Sequence, residues 1–354
     1  MTAVHVNGKW LAQPLTGTQR YATEMVRGLV TSGAVDVVLH LPKGVDAPEW
    51  ATGRPRVEFR HAPVGGVVFE QLYLPLATAG RLLLNFAGPA PLLKRCQLVT
   101  MHDATAFRYP RTFRPVFVAF YFVMYLLLAR TARQVVTVSE FSAGELAAVL
   151  HVDRRRFLVI PCAADGLANI VTVRPDLDVD GDQYLVVGTL ARHKNLTGTV
   201  AALTASGRRV VVVGAAGGDR VFSAISELGP AATVAGRLTD AELAWLYRNS
   251  RALVFPSRYE GFGLPLLEAQ VLGCPVISSS AASLPEVGGQ GALYFDPDDT
   301  NDLLVRLDEV ETQPDIVQRL RERGHDNARR FSWQASADAL LAWLGVESVV
   351  ALHR

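Results

Sequence analysis

Cysteine is scarce in this chain. Cys96, Cys162 and Cys274 are the three present, and no Cys-x-x-Cys spacing occurs. Their scatter argues against a disulfide framework or a zinc site. An excess of one charge is missing too, since 35 basic residues face 34 acidic ones for a formal net charge of +1. No general electrostatic footprint for nucleic acid follows from such a balance. Long apolar runs are absent: the most apolar stretch, Val116–Ala129, covers about 14 residues, whereas a helix crossing a bilayer needs roughly 20. The amino-terminus, Met1-Thr-Ala-Val-His5, has neither a basic segment nor an apolar core of the signal-peptide kind. The expectation is a cytoplasmic protein. No internal repeat or low-complexity tract appears.

What is present is ample material for buried cores. Of 354 residues, 49% are hydrophobic and 19% charged, which excludes general disorder and suggests about two domains. Short apolar runs alternate with helical patterns throughout. Val4–Val6, Val35–Leu41, Val57–Arg60, Leu98–Asp103, Gln134–Val138 and Phe157–Ile160 read as strands of a first half. Tyr184–Val187, Arg209–Val213, Val234–Gly236, Ala252–Phe255 and Pro275–Ser279 read as strands of a second. Strands separated by helices give parallel sheets covered on both faces. Ser142-Ala-Gly-Glu145 and Thr239-Asp-Ala-Glu242 have the pattern of helix-starting capping boxes. Val116–Ala129, with Arg111 and Arg114 before it and Arg130 and Arg133 after, reads first as a core helix. An aromatic face lying on a membrane is the other reading. Asp176-Leu-Asp-Val-Asp-Gly-Asp182 imitates half of a calcium loop, but Val187 stands where the bidentate glutamate belongs, so a solvated acidic linker is expected.

The stretch Tyr259-Glu-Gly-Phe-Gly-Leu-Pro-Leu-Leu-Glu268 carries the strongest functional signal. A strand ends at Phe255, a glycine loop turns, and a helix begins with Pro265 as its first residue and Gly273-Cys-Pro275 as its stop. Unpaired backbone N–H groups at such a helix start attract phosphate. Glu260 and Glu268 flank the loop, and carboxylates accept strongly from sugar or ribose hydroxyls. The bland alternative is a pair of carboxylates placed for the helix macrodipole. Gly17-Thr-Gln-Arg-Tyr21 repeats the glycine-then-helix arrangement in the first half. His102-Asp103 ends a strand where open α/β sheets bind ligands. Arg192 and Lys194 stand beyond a strand end, where two cations can clamp a diphosphate.

These residues together resemble the Glu-x7-Glu retaining glycosyltransferases of the GT-B fold, in the family that includes bacterial polysaccharide mannosyltransferases. The resemblance covers nearly the whole chain and is weakest at 45–95 and 165–182. It implies two Rossmann-like, doubly wound parallel-sheet domains facing a central cleft. Residues 1–168 would bind the acceptor and 180–332 the nucleotide-sugar, with a terminal helix at 333–352 packing back on the first domain. By the same resemblance Gly17 and the Gly261-Phe262-Gly263-Leu264 loop approach the donor phosphates, and Arg192 and Lys194 hold the leaving diphosphate. Glu260 would hold sugar hydroxyls, Glu268 the ribose and His102 the reacting sugar, with backbone near Leu238 at the base. Asp165 departs from the family's usual turn there, so no role is carried over to it. The implied reaction is metal-free hexosyl transfer, with mannose from GDP-mannose as the expected donor. The implied acceptor is a glycan or a lipid-linked oligosaccharide. A UDP- or dTDP-sugar donor, a nucleotide-sugar epimerase, and a non-catalytic sugar-nucleotide-binding subunit stand as alternatives.

Overall fold

A computed structural model describes residues 3–214 and 231–346. Met1–Thr2 and the 347–352 part of the expected terminal helix lie outside the described residues. The chain divides into two units, Met1–Cys162 with Trp333–Arg354, and Ala163–Ser332.

In the first unit the strands are β1 (Ala3–Asn7), β2 (Asp36–Leu41), β3 (Val57–His61), β4 (Leu83–Asn85), β5 (Gln97–Thr100), β6 (Gln134–Thr137) and β7 (Phe157–Val159). They form one parallel sheet in the order β3-β2-β1-β4-β5-β6-β7. Strand order reverses between β1 and β4, which makes that point the ligand-binding crevice of such a sheet. Residues Val4, Val6, Leu83, Leu84 and Leu98 are fully buried, as parallel strands covered on both faces require. The helix Gly17–Ser32 buries Tyr21, Ala22, Met25, Val26 and Leu29 at helical spacing, and Gly33 ends it with a left-handed φ of 59°.

The helix Trp333–Trp343 belongs to this first unit. Ala337, Leu340 and Leu341 are fully buried on it, Ser336 Oγ donates to the Pro161 carbonyl (2.8 Å), and Trp343 Nε1 donates to Gln134 Oε1 (3.2 Å). It approaches the Gly17–Ser32 helix so closely that a β-carbon on Gly28 would lie 2.4 Å from Ala337 Cβ.

In the second unit the strands are β8 (Tyr184–Val187), β9 (Val210–Val213), β10 (Ala232–Gly236), β11 (Leu253–Phe255), β12 (Val276–Ser279) and β13 (Leu293–Phe295). Among the described residues they form a parallel sheet in the order β10-β9-β8-β11-β12-β13, reversing between β8 and β11. Its core gathers Tyr184, Val186, Leu203, Val212, Val254 and Ile277. Thr239 and Glu242 form the complete capping box expected from their spacing.

Four local expectations need correction. Ser142 does not cap the helix Glu140–Leu150; Ser139 does, its side chain accepting from the Ser142 N–H (3.0 Å), because Ser139 is the last extended residue after β6. The helix after the glycine loop starts at Leu264, so Pro265 is not its first residue. Strand β5 stops at Thr100, leaving His102 and Asp103 in the loop beyond it. The aspartates of Asp176–Asp182 are exposed, but the stretch is not a linker between units: it lies inside the second unit, with Val179 buried, Asp180 paired with Arg209 and Asp182 with Arg251.

The sequence pattern gives no element between 62 and 96, yet a helix runs over 66–77 with a π-helical segment at Phe69–Tyr73. The wider turn breaks the 3.6-residue apolar period on which a sequence reading depends.

Two consequences are measurable. Gly28→Leu must overpack the Ala337 contact and should cost about 1–3 kcal/mol in urea unfolding. Gly144→Ala, in a helix with open space at that position, should stabilise by up to about 1 kcal/mol. The second consequence concerns His5 and His40, buried and hydrogen-bonded to each other at 2.8 Å. Burial, then the positive charge of Arg60, lowers His5 to about 4; burial, then His5 itself, lowers His40 to about 4. A lowered histidine favours the folded state fully above the ordinary value of 6.5, and that contribution is lost as pH falls toward about 4. Thermal unfolding of the wild type should therefore weaken over that window, and a His5→Gln/His40→Gln variant should show a shallower loss.

Candidate active site

The loop between β11 and the helix Leu264–Val271 is built to be rigid. Gly263 is the residue before the helix, at φ 100°, and a β-carbon there would lie 2.5 Å from Leu284 Cδ2. Only glycine fits both the backbone angle and the space. Ser283 Oγ sits 3.0 Å from the Glu260 carbonyl and 2.9 Å from the Phe262 carbonyl, so one buried hydroxyl ties both sides of the turn. Ser279 Oγ donates to the Ser257 carbonyl at the loop's start, and the Phe262 ring meets Phe331 edge to face at 5.6 Å.

A second loop, after β8, is fastened to the first. The His193 carbonyl accepts from the Arg258 backbone N–H (2.7 Å). The Arg258 guanidinium donates to Asn195 Oδ1, to Asp298 Oδ1 (2.8 Å) and to the Pro297 carbonyl (3.4 Å). Asn195 itself takes a left-handed φ of 55° and donates to the Pro297 carbonyl. These ties fix the single turn Arg192–Lys194.

The result is an ion pair across the reversal point of the second sheet. Lys194 Nζ lies 2.7 and 2.8 Å from the two oxygens of Glu260. Lys194 follows β8 and Glu260 follows β11, which are neighbouring strands. Glu260 is 9% exposed, so the carboxylate is largely withdrawn from water, where attraction between paired charges is stronger but is offset by desolvation, and an unpaired charge is costly. Glu268, on the following helix, is 7% exposed and accepts from the Tyr247 hydroxyl at 3.1 Å. Gly188, Gly214 and Gly236, at the ends of β8, β9 and β10, all have positive φ, and the Gly214 N–H reaches the Gly236 carbonyl at 2.7 Å. They line those strand ends with bare backbone, and Leu238 follows half-buried just before the Thr239 cap.

Lys194, Glu260, Gly261, Phe262, Gly263, Leu264 and Glu268 thus come from adjoining elements of one unit. Arg192 is exposed on the same turn, with no side-chain hydrogen bond or ion pair found among the described residues. Gly17 and His102 belong to the first unit. His102 Nε2 donates to the Phe86 carbonyl at 2.9 Å, and the ring meets Tyr21 edge to face at 5.2 Å. Burial lowers the His102 pKa, which the Phe86 bond partly opposes, so the ring is neutral with its lone pair on Nδ1. Tyr21 stands on the helix that Gly17 opens, which links the two sequence signals. Asp103 Oδ1 accepts from the Thr105 N–H (2.7 Å) and so fixes the loop.

Sequence reasoning passed over Ser283, Arg258 and Asn195, whose work is done through neighbours that are distant in the chain. It also passed over Lys9 and Glu70, a pair at 2.5 Å beside the β1 end of the first sheet's reversal point. Glu70 is 2% exposed, burial raises its pKa, and it sits in the π-helical segment that hides it from pattern reading. No group of three or more potential metal ligands occurs among the described residues.

The fold and its second-unit domain recur in known proteins. Residues 173–330 match the family model described as glycosyl transferases group 1. The O-antigen chain mannosyltransferase B of Escherichia coli is 27% identical over 91% of this chain and 93% of its own length. The O-antigen chain mannosyltransferase RfbU of Salmonella typhimurium is 30% identical over 65% of this chain and 64% of its own. Among solved structures, sucrose-phosphate synthase from Thermosynechococcus elongatus superposes with a TM-score of 0.75 at 20% identity, covering 98% of each chain. The protein is a glycosyltransferase of the GT-B fold. Its second unit carries the group 1 glycosyl transferase domain, and its curated relatives include bacterial O-antigen mannosyltransferases.

The loop geometry can be tested directly. Gly263→Ala should cost at least about 2 kcal/mol in denaturant unfolding, from the left-handed backbone and the Leu284 collision together. Ser283→Ala should cost about 1 kcal/mol.

Proposed function

We propose that this chain transfers a mannosyl residue from GDP-mannose to a hydroxyl of a glycan or lipid-linked saccharide, retaining anomeric configuration. The observation that carries the proposal is the Lys194–Glu260 pair at the reversal point, directly before a helix start and followed by the withdrawn carboxylate of Glu268. The mannose assignment is supported by the names of the two O-antigen relatives.

In this reading the donor diphosphate lies against the Gly261–Leu264 backbone, and the Gly17 backbone is a further phosphate contact. As the bond between the anomeric carbon and the phosphate oxygen breaks, negative charge grows on the departing diphosphate. Lys194 and Arg192 then stabilise that charge more than they stabilised the ground state, which is what lowers the barrier. Turning Lys194 toward phosphate frees Glu260 to accept hydroxyls of the sugar. Glu268 accepts from the ribose, and backbone near Leu238 meets the base. The acceptor oxygen bonds to the same face of the anomeric carbon, and its proton passes to an oxygen of the leaving diphosphate. Neutral His102 holds the reacting sugar. No metal takes part in this scheme. The reaction would run in the cytoplasm, where the exposed aromatic side of the helix Pro115–Thr131 supports peripheral contact with the inner face of the membrane.

The same frame serves a UDP- or dTDP-sugar equally well, so the donor is tested first. Thermal unfolding with GDP, UDP, dTDP, ADP and their hexose conjugates, with and without EDTA, should show a selective rise with GDP and GDP-mannose that EDTA does not change. Ligand at about 100 times its Kd adds roughly 2.7 kcal/mol. A UDP or dTDP preference would replace the donor, and no rise with any nucleotide would favour a non-catalytic role. Glu268→Gln should weaken nucleotide binding by about 10- to 100-fold, as expected for a hydrogen bond to a charged group. Lys194→Met should lower kcat by about 10²- to 10³-fold, and His102→Ala should lower turnover more than donor affinity.

A further inference from the structure

The helix Pro115–Thr131 has three faces, and only one is spent on the core. Met124, Tyr125, Leu128 and Ala129 are buried. Val116, Phe120, Val123 and Leu127, spaced at i, i+4, i+7 and i+11, are each more than two-fifths exposed. Between these faces, Val118, Ala119 and Phe122 line a cavity of about 810 Å³ together with Phe107, Phe113 and Val149. It is a groove open to the surface, walled chiefly by apolar side chains. It falls in the range of small-molecule sites, roughly 300–1,000 Å³.

The walls say what fits. Aromatic and aliphatic side chains offer nothing to the hydroxyls of a sugar or the edges of a base, and suit a hydrocarbon. The charges at the cavity are cationic. Arg108 and Arg111 line it, and Arg114 stands at the helix N-terminus, where no acidic residue occupies the first turn. Arg108 is engaged by Glu145 through two hydrogen bonds (2.6 and 3.0 Å). For the Arg111 and Arg114 side chains no hydrogen bond or ion pair is found among the described residues. Two uncommitted guanidiniums beside an apolar trough suit an anionic head on a hydrocarbon tail, and Arg geometry favours phosphate.

We infer that this groove binds the hydrocarbon tail of one phosphate-headed lipid, with Arg111 and Arg114 on the phosphate. Naming that lipid as the carrier of the saccharide acceptor rests on the transferase reading above; the binding itself does not.

The test uses dodecyl phosphate below its micelle concentration, titrated calorimetrically into the full chain without nucleotide, so that its outcome is separate from the donor test. Dodecyl phosphate should bind saturably at one per chain, and inorganic phosphate and dodecanol at least tenfold more weakly. Ala119→Trp, which fills the trough, and Arg111→Glu should each weaken binding at least tenfold. Val123→Asp, on the outward face, should leave it unchanged, and thermal unfolding of each variant checks that it is folded. No saturable binding of dodecyl phosphate, or equal binding by wild type and folded Ala119→Trp, would overturn the groove. So would equal affinity for inorganic phosphate. Loss of binding to phosphatidylglycerol vesicles in Val123→Asp, with dodecyl phosphate ignored by the wild type, would assign the helix to a bilayer surface instead.

Discussion

An all-parallel sheet has a single edge at which every strand ends and every covering helix is about to begin. That constraint governs the chemistry here. It gathers the free ends of backbone, the N-termini of helices and the loop side chains at one rim, and the reversal of strand order opens a gap in that rim. In the second unit a lysine and a glutamate meet across the gap; in the first, Lys9 and Glu70 meet beside it. Neither pair is close in sequence. The first exists because the adjacent strands β8 and β11 deliver their loops to the same place; in the second, Glu70 arrives on the helix between β3 and β4.

The rim's rigidity comes from ties among its own residues. Ser283 holds the glycine turn by its carbonyls, Arg258 staples the β8 loop to the β11 loop, and Gly263 admits Leu284 where any side chain would push it out. Binding energy in a polar site is useful only where geometry is fixed before the ligand arrives. The hydrogen bonds supply that fixing within the second unit, and the His102 bond to Phe86 supplies it within the first.

Much of the architecture was legible in the amino-acid pattern. Short valine-rich runs such as Val210–Val213 are unambiguous when both faces are covered, and Gly33 and Thr239 mark helix ends by mechanisms that act locally. The Glu260–Glu268 stretch was legible because its glycines, proline and carboxylates fall within one strand–loop–helix step. What escaped notice depends on distance or on broken period. The π-helical turn at Phe69–Tyr73 removes the spacing that would reveal Glu70. The acidic stretch Asp176–Asp182 reads as solvated linker because its partners, Arg209 and Arg251, lie far along the chain. The helix Pro115–Thr131 stayed open between a core helix and an exposed aromatic face, and it has both, because apolar composition records how much hydrophobic surface exists, not how much is covered.

The close approach of Gly28 to Ala337 has a bearing on how the protein is made. The first unit's sheet leaves the ribosome early, but the helix that covers Gly17–Ser32 is encoded near the carboxyl end. Until some three hundred intervening residues have been synthesised, the side of the earlier helix that meets Ala337 stays uncovered. At translation rates of about 5–20 residues per second the first unit stays unfinished for tens of seconds, open to chaperones or to misassociation. A chain wired this way has the whole of its second unit synthesised before the last helix of its first.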